Sequence, residues 1–349
     1  MKLWHETDDW ESAQEELAAA GLTDGLPVVP PTSSRVEQML RLHGYDPDEV
    51  VTALPPAFGA ATWKSIAINA VMAGCRPEYL PVVGAAVEAL AADEFNLIGV
   101  ATTTGSATPL VIVNGPIVKA IGMNAEGNAL GPGNRANATI GRAVCLVLRN
   151  VGGAKPGELD MTTLGQPGKY TFCLAENEAA SPWTALHVER GFPATASIVT
   201  VVGAAGIVEV VDSYSHKGQD LAQTFAQSML IAGNLGGNGC FGGGEPLIVL
   251  PPEHAETFNR DGYTKEKVKA EIYARATLPL DRISPAMLAK LDRNKDATRE
   301  VIRVAQRPDD IMIIVAGGVG VKAAYVPTWG GTTRAVSRQI RRGKGVREN

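Results

Sequence analysis

Several short runs in the chain are almost wholly apolar and end at Gly, Pro or polar residues: Leu97–Ala101, Leu110–Val113, Leu247–Leu250 and Ile311–Val315. They lack the polar alternation of a half-exposed strand, and suit strands buried on both faces. Such a strand needs other layers above and below it. Helical patterns that can supply those layers lie between the runs. They cover 7–20, 35–43, Lys64–Ala73, Leu80–Ala92, Pro116–Ile121, Ala136–Asn150, Leu221–Ala232 and Lys265–Ala276, with a polar helical segment over 282–307. Ile198–Val202 and Ile207–Val211 flank Gly203-Ala-Ala-Gly206 and read as a hairpin or a close strand pair. The expected fold is α/β with mixed sheets.

A weak internal echo accompanies this pattern. Ala107-Thr-Pro-Leu-Val-Ile-Val-Asn-Gly-Pro116 resembles Gly244-Glu-Pro-Leu-Ile-Val-Leu-Pro-Pro252, and each precedes a helix. The echo divides the chain into two related α/β halves, 63–190 and 191–335. They are preceded by helices and an extended segment over 1–62 and followed by a basic tail over 336–349. Chance similarity of two buried strands is the alternative. If the halves are real, a ligand is expected between them, near strand ends.

Charge narrows the function classes. With 32 basic against 37 acidic residues the net charge is −5, which disfavours a nucleic-acid binder. Arg338, Arg341, Arg342, Lys344 and Arg347 in the tail fit a solvated terminus. Cys75, Cys145, Cys173 and Cys240 show no metal spacing, so reduced thiols in a cytoplasmic protein are expected, with no metal and no cofactor. The start, MKLWHETDDWESAQEEL, has no apolar stretch of a signal peptide. No run is long enough to span a bilayer.

Glycine is the compositional surplus: 38 of 349 residues, where about 7% is usual. The surplus gathers at 127–141, 233–244 and 317–320. In the first cluster a Gly-rich loop enters a helix, with Asn134, Arg135, Asn137 and Arg142 at or near its start. A helix N-terminus with arginines favours an anion; a Gly-Asn turn with an Asn cap is the structural alternative. The second, Gly233–Gly244, is the leading active-site candidate. Asn234, Asn238, Gly242 and Gly243 there can form an anion nest. Cys240 inside it is either a nucleophile or a packed small residue. Thr103 and Thr104 belong to a hydroxyl-rich loop between predicted strands. Lys322 follows the third cluster and is a further candidate for lining a site. Glu176 and Glu178 follow an apolar run, and one of them is a general-base candidate if burial raises its pKa. His187 and Glu189 follow close behind. His216 is a polar-loop histidine able to shuttle protons.

Four segments carry a family likeness: Asp24-Gly-Leu-Pro-Val-Val-Pro-Pro-Thr32, Ala73-Gly-Cys-Arg-Pro-Glu-Tyr79, Gly131-Pro-Gly-Asn-Arg-Ala-Asn137 and Ala316-Gly-Gly318. They resemble an uncharacterised bacterial family of about this length, found beside or fused to small UGSC-type thiol or selenol proteins. The resemblance spans nearly the whole chain. It implies an enzyme component working with a second subunit. No U-G-S-C or C-G-S-C segment is present here, so that nucleophile would come from the partner. The leading expectation is an oligomeric enzyme, or the large subunit of one, doing lyase- or hydrolase-type chemistry on a small anionic substrate. A thiol- or selenol-dependent reductase component and a non-catalytic scaffold subunit are the alternatives.

Overall fold

The computed structural model describes residues 9–230, 244–292, 301–330 and 333–341. The chain opens on α1 (Trp10–Ala19), capped by Asp9, whose carboxylate accepts the Ser12 N–H. Thr32 caps α2 (Ser33–Arg41) in the same way. An antiparallel pair, β1 (Val50–Leu54) and β2 (Gly59–Thr62), leads into α3 (Trp63–Ala73). Then come α4 (Leu80–Leu90), α5 (Leu97–Thr102), β3 (Thr108–Asn114), α6 (Ile117–Ala120) and α7 (Arg135–Asn150). They are followed by β4 (Cys173–Ala175), α8 (Leu186–Glu189), β5 (Ile198–Ala204), β6 (Val208–Val211) and α9 (Gly218–Ser228). The remainder holds β7 (Leu247–Leu250), α10 (Pro252–Arg260), α11 (Lys265–Arg275), β8 (Thr277–Pro279), α12 (Pro285–Asp292) and β9 (Val301–Arg303). It ends with β10 (Met312–Val315), β11 (Lys322–Val326) and β12 (Val336–Gln339). This is an α/β fold, and no described helix is long and apolar enough to cross a membrane.

Two four-stranded mixed sheets hold the core, in the orders β12-β5-β3-β4 and β10-β7-β11-β6. In the first, β3 runs parallel to β4 and antiparallel to β5, which is antiparallel to β12. In the second, β7 runs parallel to β10 and antiparallel to β11, which is antiparallel to β6. The two patterns are the same. β6 follows β5 in sequence yet edges the second sheet, and β12 follows β11 yet edges the first. The sheets therefore interlock by exchanging edge strands.

The sheets pack face to face through Leu110, Ile112, Leu174, Leu247, Val249 and Ile314. Alternate residues face the other way. Val111, Val113 and Val199 meet α3, α4 and α7, while Ile248, Leu250 and Ile313 meet α9, α10 and α11. Because both layers are apolar, the strands read as continuous apolar runs rather than alternating ones. Fully buried side chains such as Phe225 and Phe258 each contribute about 2–3 kcal/mol.

Four sequence expectations change. Leu97–Ala101 is α5 and not a strand: Asn96, at φ 52°, accepts the Gly99 N–H and caps a helical turn. An apolar run of five has no readable period, so the cap decides. Ile198–Val202 and Ile207–Val211 do not pair, because β3 occupies one edge of β5 and β12 the other. In 282–307, α12 is followed at Val301 by β9, which pairs with β8. Residues 336–339, expected to begin a tail, form β12.

Arg142 and Asp24 tie the N-terminal segment to α7. The guanidinium donates from Nε and Nη2 to the Asp24 carboxylate, each at 2.8 Å. Both side chains are mostly buried. Asp24→Asn is expected to cost about 2 kcal/mol, since a charge-assisted bidentate pair is lost and the arginine stays half-buried. Urea unfolding checks this; a change under about 0.5 kcal/mol would contradict it.

Candidate active site

Asn114 and Glu176 sit at the carboxyl ends of the parallel pair β3 and β4, the edge where open α/β sheets place ligands. Gly115, at φ 86°, turns the chain sharply away from β3. Asn114 Nδ2 donates to Glu176 Oε2 at 2.6 Å and to Glu178 Oε1 at 3.1 Å. The Gly115 N–H donates to Glu178 Oε1 at 2.6 Å, and the Leu186 N–H to Glu176 Oε2 at 2.9 Å. One asparagine thus bridges two carboxyl groups. Glu176 is buried at the floor, while Glu178 is half-buried at the mouth.

His187 completes the cluster. It is wholly buried, and its Nδ1 lies 3.8 Å from Glu178 Oε1. Neither ring nitrogen has a hydrogen-bond partner among the described residues; the same holds for Asn114 Oδ1 and Glu176 Oε1. Buried polar atoms are normally paired, so four unpaired ones in one cluster mark a place where polar chemistry is expected.

Burial pushes the Glu176 carboxyl up to about 7. The positive charge of Lys265, the Leu186 N–H and Asn114 oppose the rise, and Glu178 adds to it. Lys265 is itself buried, donating to Thr184 O and Glu189 Oε2, each at 2.6 Å. Lys269 donates to the other Glu189 oxygen at 2.7 Å. Lys265→Met is expected to raise the Glu176 midpoint further, because the charge that favours the carboxylate is gone. Infrared titration of the protonated carboxyl measures this; an unchanged or lower midpoint would contradict it.

A cavity of about 860 Å³ opens above the cluster. Glu176 and Glu178 line one side, and Gly127, Gly133 and Asn134 of the first Gly-rich loop line another. Asn134 caps α7, accepting the Asn137 N–H at 3.0 Å and donating to Gly122 O at 2.8 Å. Asn137 is buried beneath the loop and holds it: it accepts the Asn124 N–H and donates to Asn124 O and Ala129 O. Gly317 reaches the site from the end of β10, its N–H donating to Ala125 O. The Asn177 N–H donates to Val315 O, so the ends of β4 and β10 also meet here.

The other sequence candidates lie elsewhere. Arg135 Nε donates to Gly74 O, and Arg142 is held by Asp24. Thr103 Oγ1 accepts the Gly105 N–H beyond the opposite end of β3. Lys322 Nζ donates to Ser213 Oγ at 3.0 Å. His216 is exposed, its carbonyl accepting from Arg260. Asn234, Asn238, Cys240, Gly242 and Gly243 lie outside the described residues. Among the described residues, no three His, Cys, Asp or Glu side chains group as a metal site. Asn114 and Lys265 are absent from the sequence candidates. Asn114 carries one legible signal, a lone polar residue closing a buried apolar run.

No protein family, curated protein or solved structure matches this chain.

Proposed function

We propose that this chain is an acid–base enzyme, or the large subunit of a two-component enzyme, acting on a small organic substrate in the cleft above Glu176. One observation carries the reading: a buried carboxyl with its pKa raised to about 7 lines the floor of a cavity large enough for a metabolite. A group poised near the working pH can both take and return a proton, which suits lyase- or hydrolase-type steps. Asn114 and the Leu186 N–H hold Glu176 in place, and Glu178 fixes the turn at Gly115. An anionic end of the substrate would meet Lys119 and the amide end of α7 near Asn134, rather than Arg135 or Arg142, whose guanidinium groups are engaged elsewhere.

The thiol-dependent alternative draws no support from the described cysteines. Burial pushes the thiols of Cys75 and Cys145 up to about 12 and raises that of Cys173 as well, so all three stay protonated. A nucleophile, if the reaction needs one, would come from Cys240 or from the UGSC-type partner that the family resemblance implies.

Isotope exchange tests the reading. The protein is incubated in D2O with a panel of small carbonyl and carboxylate compounds, with and without a UGSC-type partner, and products are read by mass spectrometry. Deuterium entering a C–H bond, or elimination, that disappears in Glu176→Gln supports the proposal. Turnover that Glu176→Gln leaves intact would remove Glu176 from the mechanism and favour a scaffold or thiol role.

A further inference from the structure

We propose that a second cavity, at the other end of β3, binds a monocarboxylate with a compact apolar body, and that Arg149 is its anchor. The cavity has a volume of about 590 Å³ and lies beside Thr108 and Pro109, where β3 begins. Asn114 and the acid–base cleft lie at the far end of that strand, about 20 Å away at the usual rise of a strand. Its floor is apolar, formed by Val100, Ala101, Ala107, Leu146 and Leu148.

The segment 152–170 forms the opposite wall and is fastened by named bonds. The Thr163 N–H donates to Thr104 O at 2.9 Å. Gln166 Nε2 donates to Ser106 O and Ala204 O. The wall is therefore part of the fold and encloses the cavity on a second side.

Arg149, in the last turn of α7, also lines this space. Its Nε is buried without a hydrogen-bond partner. No hydrogen bond or ion pair joins its guanidinium to any described residue. Among the described residues only two acids line the cavity, and each is already satisfied. Asp24 holds Arg142, and Asp160 accepts from Lys169 Nζ at 2.7 Å and Thr162 Oγ1 at 2.5 Å. Arg149 is half-buried, with its Nε enclosed and no counter-ion on its guanidinium among the described residues, and that planar fork matches a carboxylate. The apolar floor beside it suits a short branched or aromatic body and gives a polar ligand little to bond. The position of the charge and the chemistry of the floor together select an acid with a small hydrocarbon part. The inference does not rest on the acid–base reading of the first cleft.

Benzoate and benzamide separate charge from shape, since they share the ring and differ in charge. The purified full-length chain is titrated with each by calorimetry. Benzoate is expected to bind at least about tenfold more tightly than benzamide, the ratio a charge-assisted bond supplies. Arg149→Met should erase that ratio, and Lys119→Gln should leave it intact. If Arg149→Met does not fold, phenylglyoxal modification of the wild type gives an equivalent readout. Benzoate should then protect Arg149 in peptide mass spectrometry, and benzamide should not. Equal binding of the two compounds, no benzoate binding at millimolar concentration, or a preference that survives Arg149→Met would each overturn the proposal. A preference lost in Lys119→Gln instead would place the anion in the first cleft and overturn it as well.

Discussion

The Glu176→Gln variant is expected to outlast the wild type above neutral pH, by about 3 kcal/mol, while losing roughly 10²- to 10⁴-fold in proton transfer. The sign follows from linkage. In the fold the carboxyl titrates at about 7, against 4.5 for a free glutamate, so the native state holds the proton more tightly than the unfolded chain does. Below 4.5 both states are protonated and the native interaction is fully present. As pH rises through the window to about 7, the buried group must ionise at the expense of stability, and the loss then levels off. Glutamine cannot ionise and has no such slope. Urea unfolding of both proteins at a series of pH values gives the comparison. Two parallel stability curves would show that Glu176 is not the titrating group. Stability and activity move in opposite directions here, as expected where a fold tolerates a costly buried group for its chemistry.

A second large effect is expected at the turn that sets the site. Gly115→Ala should cost more than about 3 kcal/mol. Residue 115 has φ 86°, a conformation that side-chain-bearing residues rarely adopt. A Cβ there would stand 2.1 Å from the Ala196 carbonyl oxygen and 3.0 Å from Ser197 Cα, both backbone atoms. The chain would have to shift, and with it the N–H that holds Glu178 and the amide of Asn114 that bridges the two carboxyl groups. Gly25→Ala is the control. Its φ is 93°, yet nothing lies within 4 Å of the added carbon, so only the backbone term of about 1–2 kcal/mol applies. Chemical denaturation ranks the two variants; equal losses would mean that the clash at Ala196 is relieved at little cost. A folded Gly115→Ala protein should also show a displaced Glu176 titration.

The layered class of the fold is legible because burial on both faces leaves a local imprint. Leu110–Val113 and Leu247–Leu250 have no polar alternation, since one set of side chains meets helices and the other meets a second sheet. Caps are equally local, as at Thr32 and Asn134. Leu97–Ala101 shows the limit: its composition is that of a buried strand, and the bond from the Gly99 N–H to the Asn96 side chain turns it into a helix.

The candidate site divides along the same line. Glu176 and Glu178 can be picked from sequence as carboxylates after an apolar run, and Gly127–Asn134 as a loop entering a helix. Their meeting around one cavity is a matter of strand pairing, as is the arrival of Asn114 between them from 62 residues away. Arg135 and Arg142 look like anion ligands until Gly74 and Asp24 are seen to hold them.

What the sequence alone determined about this protein was what each short segment prefers: its period, its caps, and its need to be covered on one face or two. Those preferences depend on neighbours a few residues apart. Only the tertiary structure decided that β6 and β12 exchange sheets, that β4 and β10 end together, and that burial lifts one glutamate to about 7. Pairing and desolvation depend on what surrounds a group in space, and distant segments supply those surroundings only once the chain has closed on itself.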